Sequence, residues 1–391
     1  MKKITLKPGK EQSLKRYHPW VFSGAINEMP EIPAEGEDVK IYSSKNEYLG
    51  AGHFQSGSIA VRTLTFRQED FSDSFWKLKL EKCLKLRKET GLAGGSHTNV
   101  YRIVNAEGDG MSGLIIDFYN GTAVIQAHTA GMHRIRRVIA KCLHEVMGKS
   151  LTSVYYRGMP GTSLNYSKED NEYLSGSQSQ NLVTEYGNRF SVDWVGGQKT
   201  GFFIDQRENR KLLEKYSRNK KVLNMFGYTG GFSVYALKGG AVQVHTVDSS
   251  SKAIETAKRN VELNFPSDKS HEAFCMEAFD FFSDKNNSYD IIILDPPAYA
   301  KGIRARNNAL QAYRRINIKA IEKIVPGGLI FTFSCSQVVS REQFRQAVFS
   351  AAIQSGREIR ILHQLSQPAD HPVSIYHPEG EYLKGLVIQI I

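Results

Sequence analysis

Cysteine and long apolar runs are scarce in this chain, and each scarcity excludes something. Only four cysteines occur in 391 residues (Cys83, Cys142, Cys275 and Cys335), and no two form a CxxC pair. A zinc ribbon or a disulfide framework is therefore not expected, no metal site is read, and a reducing cytoplasm is the expected location. No apolar run approaches the ~18 residues needed to cross a bilayer, so no membrane association is expected. The basic start, Met1-Lys2-Lys3-Ile4-Thr5-Leu6-Lys7, has no apolar stretch behind it, so it does not read as a signal peptide. No repeat at a fixed period is visible, which sets aside a solenoid.

What remains is ordinary in composition and biased in charge. The chain is 41% hydrophobic and 23% charged, with a formal net charge of +11. Its length suits two or three domains of roughly 100–200 residues each. Positive charge favours a polyanionic partner such as nucleic acid, although solubility alone also accounts for it.

Residues 1–72 read as a small β-rich module. Short runs such as Val39-Lys40-Ile41-Tyr42 and Ile59-Ala60-Val61-Arg62-Thr63-Leu64 alternate with turn clusters. Within it, Arg16, His18, Trp20 and Phe22 stand close together. They suit phosphates and stacked bases, or an ordinary loop that sends Trp20 and Phe22 into the core, which is the preferred reading. Residues 73–185 read as an α+β middle domain. A helix is expected from Phe71 to Leu92 and a basic one from His133 to Met147, carrying Arg134, Arg136, Arg137 and Lys141 toward solvent or RNA. Cys83, Cys142 and Cys275 are assigned to cores. Residues 161–181 are rich in Ser, Asn and Gly and read as an irregular loop.

From residue 186 to 391 strands and helices alternate, the signature of a parallel α/β sheet. Strands are expected at 221–226, 242–248, 272–276, 289–294, 329–334 and 385–391. The first runs into Gly227-Tyr228-Thr229-Gly230-Gly231, and the second ends in Asp248, about twenty residues past that turn. This cradles a nucleotide, with the acid on both ribose hydroxyls; a close-packed βα turn is the plain alternative. The turn is neither GxGxxG nor GxxxxGK[ST] and has no phosphate lysine, so it suits a nucleoside without phosphates, such as S-adenosylmethionine. Upstream, the polar and aromatic run Lys199-Thr200-Gly201-Phe202-Phe203-Ile204-Asp205-Gln206-Arg207 is placed to wrap cofactor or substrate, or to start a helix capped by Asp205.

The fourth strand, Tyr289-Asp290-Ile291-Ile292-Ile293-Leu294, stops at Asp295-Pro296-Pro297-Ala298-Tyr299. Proline cannot donate to the ladder, so the strand ends there, with an acid on the edge where open α/β sheets bind ligands. A simple turn is the alternative for Asp295, and for Tyr299 both base stacking and loop packing stay open. Cys335, flanked by serines just past the fifth strand, belongs on the same rim, where a thiol can act as a nucleophile. Together an acid and a thiol suit one reaction. A thiolate adding to carbon 6 of cytosine makes carbon 5 nucleophilic, while the acid engages ring nitrogen 3; the base must first leave its stack.

These residues resemble a known family, the class I S-adenosylmethionine-dependent ribosomal RNA large-subunit methyltransferases of the type that makes 5-methylcytosine in bacterial 23S rRNA. The resemblance rests on His18-Pro19-Trp20-Val21-Phe22-Ser23-Gly24-Ala25-Ile26, similar to the signature of a PUA domain, and on the segments at 198–207, 226–231, 294–297 and 334–336. Ala369-Asp370-His371-Pro372 and Glu381-Tyr382-Leu383-Lys384-Gly385 match as well. The implied fold is a C-terminal Rossmann-like methyltransferase sheet with helices on both faces, after an α+β middle domain and a PUA-like β-barrel. The implied catalytic residues are Cys335 and Asp295. The implied cofactor contacts are Lys199, Thr200, Phe202, Asp205, Gln206, Arg207, Asn224, Phe226, Tyr228, Thr229, Gly230, Asp248, Ser249, Asp295 and Pro296, with Glu277, Ala278 and Phe279 at the adenine. Substrate contacts are expected at Pro297, Tyr299, Arg16, His18, Trp20 and His371, with a structural turn as the other reading of His371. Ala298 departs from the wider group of RNA 5-methylcytosine enzymes, many of which carry a second cysteine there. The expected cofactor is S-adenosylmethionine, leaving S-adenosylhomocysteine. The expected partners are 23S rRNA or a large-subunit assembly intermediate, with a homodimer as an option. Two other readings stay open: an RNA methyltransferase acting on a purine or an exocyclic amine, and a non-catalytic RNA-binding assembly protein.

Overall fold

The computed structural model describes residues 1–158, 171–177, 181–283 and 288–391. The loop expected at 161–181 falls largely outside the described residues. The chain forms two compact units, one made of residues 1–183, 192–204 and 369–380, the other of 184–191, 205–368 and 381–391.

The first unit holds two sheets. The six-stranded sheet runs in the order Trp20–Phe22, Ile59–Thr65, Tyr48–Phe54, Asp38–Tyr42, Lys2–Leu6, Ile26–Glu28. Its alternating residues, among them Ile4, Val39, Ile41 and Val61, form one small core. The five-stranded sheet runs in the order Glu172–Ser175, Ser153–Tyr156, Thr122–Ala127, Leu114–Tyr119, Val100–Asn105. Helices at Asp73–Glu89 and Arg136–Met147 cover it with Trp76, Leu80, Ile139 and Leu143. Ser72 caps the first of these by accepting from the Phe75 N–H. The basic helix expected from His133 to Met147 is two helices, Ala130–Arg134 and Arg136–Met147, which meet at Ile135. Arg137 and Lys141 pair with Glu172 and Asp73 at 2.7 Å each.

The three-part division expected from the sequence does not emerge as three units. His53 of the first sheet packs on Trp76 at 6.0 Å between ring centroids, so the two sheets share an interface. Two pieces of the expected C-terminal domain also belong to the first unit. Arg157 holds 192–204 by donating to the carbonyls of Trp194 (2.6 Å) and Gly197 (2.7 Å). Arg87 and Asn105 hold 369–380 by donating to the carbonyls of Asp370 (2.8 Å) and Pro372 (2.9 Å). Gly108 lies so close to Pro372 that a Cβ there would stand 1.8 Å from its carbonyl oxygen.

The second unit is one α/β sheet. Its strands are β1 (Lys221–Met225), β2 (Gln243–Asp248), β3 (His271–Cys275), β4 (Tyr289–Leu294), β5 (Ile324–Ser334), β6 (Ile359–Leu365) and β7 (Lys384–Ile390), in the order β3-β2-β1-β4-β5-β7-β6. All neighbours are parallel except those of β7, which is antiparallel to β5 and β6. Helices α1 (Arg207–Tyr216), α2 (Gly231–Lys238), α3 (Ser251–Asn264), α4 (Ala278–Ser283), α5 (Arg306–Lys323) and α6 (Arg341–Ser355) complete it. The β4 residues Ile292 and Leu294 are fully buried among side chains such as Met225, Tyr313 and Ile316. That burial is why a run of four apolar residues is needed there. β5 starts at Ile324, so Pro326-Gly327-Gly328 is an irregularity inside the strand rather than a turn before it. Strand order reverses at β1 and β4, which opens a ligand crevice at their carboxyl ends.

Candidate active site

The carboxyl ends of β1 and β2 meet first. After β1 the backbone takes positive φ at Phe226 (59°), Tyr228 (44°) and Gly230 (75°). Asp248, at the end of β2, accepts from the N–H of Tyr228 (2.9 Å) through one carboxylate oxygen and from that of Ser250 (2.9 Å) through the other. Each oxygen keeps a second lone pair for a ligand hydroxyl. The turn is also closely packed: a Cβ on Gly227 would stand 2.4 Å from the Thr246 methyl group. The close-packed reading of the turn is thus met, and the lone pairs of Asp248 leave the cradle as a proposal. Asn224 donates to Ser233 Oγ at 2.9 Å, while its own Oδ1 is buried and finds no hydrogen-bond partner among the described residues. Thr229 is buried, and its carbonyl accepts from Asn260 at 2.8 Å.

Glu277 and Phe279 at the start of α4 are exposed and Ala278 is buried. With Met276 and Phe279 at 39% and 45% exposure, this rim offers an apolar face to a ring. Cys275, assigned to a core, is instead exposed; its Sγ lies 3.6 Å from the carbonyl oxygen of Ser249, itself exposed. The reason is topological, since β3 is the outermost strand and is covered on one side only.

β4 and β5 carry the expected acid and thiol. Their parallel register, Leu294 beside Thr332, brings Asp295-Pro296 alongside Cys335. Cys335 Sγ lies 4.0 Å from the Pro296 carbonyl oxygen and is half-buried, as is Asp295. Pro296 is buried and Pro297 exposed. Ser336 is fully buried, with Oγ 3.0 Å from the Tyr313 hydroxyl and in reach of the Ala300 N–H. These bonds pin the segment just past the thiol. Tyr299 packs on Tyr313 at 4.9 Å between ring centroids, with the rings tilted by 56°, and burial raises its phenol pKa. Sequence reasoning missed Lys384. It opens β7, is 3% exposed and donates from Nζ to the Ser336 carbonyl at 2.8 Å. A lysine at the head of an otherwise apolar strand was the available signal.

The expected wrap, 199–207, divides between the units. In the first, Thr200 is buried; its hydroxyl accepts from Tyr119 (2.8 Å) and donates to Asp117 (2.8 Å), which Arg102 also engages at 2.7 Å. Phe202 is buried there, and the exposed Lys199 sets its ammonium 5.1 Å from the centre of the Phe203 ring. In the second, Asp205 accepts from the Tyr382 hydroxyl at 2.7 Å and is no helix cap, since α1 begins after Gln206. Gln206 is buried and accepts from Asn209. Arg207 and Arg210 are buried against Glu185, at 3.5 and 2.8 Å. Arg207 is therefore held in the scaffold, because a buried guanidinium needs a carboxylate.

In the first unit the expected RNA contacts separate. Arg16 is exposed. Trp20 is held inward, donating to Glu107 at 2.9 Å and packing on His377 at 4.3 Å. Phe22, expected in the core, is instead 48% exposed, because the short strand Trp20–Phe22 ends the sheet and leaves that position uncovered. His18 is half-buried, with Nε2 3.5 Å from Glu379. His371 is 1% exposed and paired with Asp370 at 3.1 Å, a buried structural pair rather than a surface contact.

Comparison with known proteins agrees with this architecture. Residues 162–372 match the family profile of S-adenosylmethionine-dependent methyltransferases, and residues 4–66 that of PUA-like domains. The chain is 36% identical to ribosomal RNA large subunit methyltransferase I of Alteromonas mediterranea over 397 residues, covering 99% of this chain and 98% of that one. It is 36% identical over 398 residues to the Aeromonas salmonicida protein of that name, with the same coverage. Among solved structures, a protein from Streptococcus mutans described as a SAM-dependent methyltransferase superposes with a TM-score of 0.85 at 23% identity over the whole of both chains. A methyltransferase structure in complex with SAH gives 0.87 at 23%, also over both whole chains.

Proposed function

The chain belongs to the ribosomal RNA large subunit methyltransferase I family of S-adenosylmethionine-dependent methyltransferases, and on that premise we propose that it methylates carbon 5 of a cytosine in large-subunit ribosomal RNA through a covalent Cys335 adduct. The observation that carries the reading is the juxtaposition of Cys335 with Asp295-Pro296 on one rim of the sheet. S-adenosylmethionine suits the residues at the ends of β1 and β2. Asp248 would hold its ribose hydroxyls, Asn224 Oδ1 has spare acceptor capacity, and Phe279 would cover the adenine. When bound it supplies an electrophilic methyl group to the activated carbon.

The protein's own residues do the rest. The Cys335 thiolate adds to carbon 6, and the ring electrons move toward carbon 5 and nitrogen 3. Asp295 bonds nitrogen 3 and takes up that charge change. Once carbon 5 carries the methyl group, a base takes its proton, the carbon 5–carbon 6 double bond re-forms and the thiolate leaves carbon 6. The base must leave its stack to reach the rim, and the PUA-like module of the first unit offers Arg16 and the exposed Phe22 to the RNA. The packing of Tyr299 onto Tyr313 argues against the exocyclic-amine reading, which requires that ring free to stack on a base. The test is mass mapping of modified nucleosides in 23S rRNA incubated with wild type and Cys335→Ala. Carbon 5 methylcytosine formed at an undiminished rate by Cys335→Ala removes the covalent route.

A further inference from the structure

The second unit buries a lysine, Lys384. Lys384 is 3% exposed, and among the described residues no carboxylate lies within ion-pair distance of it. Burying an ammonium is costly unless another group uses it. Its surroundings indicate which. The antiparallel register sets Lys384 opposite Ser334, and its Nζ reaches the Ser336 carbonyl at 2.8 Å, so it brackets the residue between them, Cys335. We propose that Lys384 is a positioning residue that acts through Cys335, accepting the proton of its thiol and holding the resulting thiolate at the site. The proposal rests on the reading of Cys335 as the nucleophile.

Besides Cys335 itself, three charged or titratable groups bear on the pair. Cys335 and Glu381 favour the ammonium of Lys384, Arg341 opposes it, and Tyr313 faces Cys335 from α5. Glu381 is itself paired with Arg341, so it does not neutralise Lys384. Burial lowers the Lys384 pKa to about 8, with Cys335 pulling it back up. A lysine titrating near that value takes a proton from a thiol of ordinary acidity, near ~8.5, at little cost. The S–H bond breaks, an N–H bond forms, and thiol plus amine become thiolate plus ammonium. When the thiolate leaves carbon 6 the same proton returns, and no electron is gained or lost.

The experiment is the pH dependence of Cys335 alkylation by iodoacetamide in the full chain, read on the Cys335 peptide by mass spectrometry. Neither RNA nor cofactor is present, so the result does not depend on whether the covalent route is correct; Cys335→Ala tests that separately. In the wild type the midpoint is expected below ~8.5. Lys384→Gln is expected to raise it by about one pH unit, roughly tenfold slower alkylation at pH 7. Lys384→Arg, a fixed cation, is expected to keep it at or below the wild-type value. A Lys384→Gln midpoint equal to wild type overturns the proposal. So does an equal rise in Lys384→Gln and Lys384→Arg, which marks a packing role. A wild-type midpoint at or above ~8.5 also overturns it, whether or not either variant folds.

Discussion

Cys335 Sγ lies 4.0 Å from the carbonyl oxygen of Pro296, although 39 positions separate them in the chain. The contact follows from two parallel strands, β4 and β5, ending at the same level. It makes the thiol the first residue to test. Cys335→Ala is expected to lower methyl transfer by more than roughly 10³-fold while leaving cofactor binding intact, because the loss of a nucleophile is a transition-state loss. Single-turnover transfer from labelled S-adenosylmethionine to 23S rRNA measures it, and a loss under tenfold counts against the role.

Asp248 carries a different expectation. Its carboxylate organises the N–H groups of Tyr228 and Ser250 and is the candidate ribose acceptor. Asp248→Ala should weaken S-adenosylmethionine binding by about 1.5–3 kcal/mol, some ten- to a hundredfold in Kd. Titration calorimetry reads this directly, and an unchanged Kd removes Asp248 from the cofactor site.

Arg87 tests the scaffold of the first unit. It is fully buried, meets Asp109 through two bonds of 2.6 and 2.7 Å, and donates to the carbonyls of Arg102 and Asp370. Arg87→Ala leaves a buried carboxylate unpaired and should cost about 3–5 kcal/mol. Urea unfolding followed by circular dichroism measures it; a loss below 1 kcal/mol means water replaces the guanidinium.

His128 predicts a pH dependence. Burial lowers its pKa to about 4, from an ordinary value of 6.5, and its Nε2 has no hydrogen-bond partner among the described residues. The unfolded chain therefore binds a proton that the folded chain refuses between those two values. Stability from this group is complete above pH 6.5 and falls with acidification toward about 4, by at most ~1.4 kcal/mol per pH unit. His128→Leu should flatten the decline in unfolding free energy between pH 7 and 5. An identical slope in wild type and variant would show that other groups set the acid limb.

Much of the second unit was legible because its strands are buried on both faces and its glycines sit at turns. The runs at Lys221–Met225, Gln243–Asp248 and Tyr289–Leu294 are apolar for a reason that acts locally, and the acids and prolines that stop them are equally local. Exposure was less legible. Cys275 and Phe22 read as core residues by type, yet an outer strand leaves each uncovered. The wrap at 199–207 read as one ligand loop, whereas Thr200 bonds Asp117 in the first unit and Arg207 lies beside Glu185 in the second.

By itself the sequence determined the residue types of the candidate site: an acid closing β2, Asp295 before two prolines, and a thiol past β5. Turn chemistry and hydrophobic period act over a few residues, so they survive in the linear string. Tertiary structure alone decided which of these residues meet. Strand order sets Cys335 beside Pro296, and the antiparallel return of β7 buries Lys384 behind the thiol. Such pairings depend on register between strands far apart in the chain, where a shift of one residue would turn every side chain to the other face.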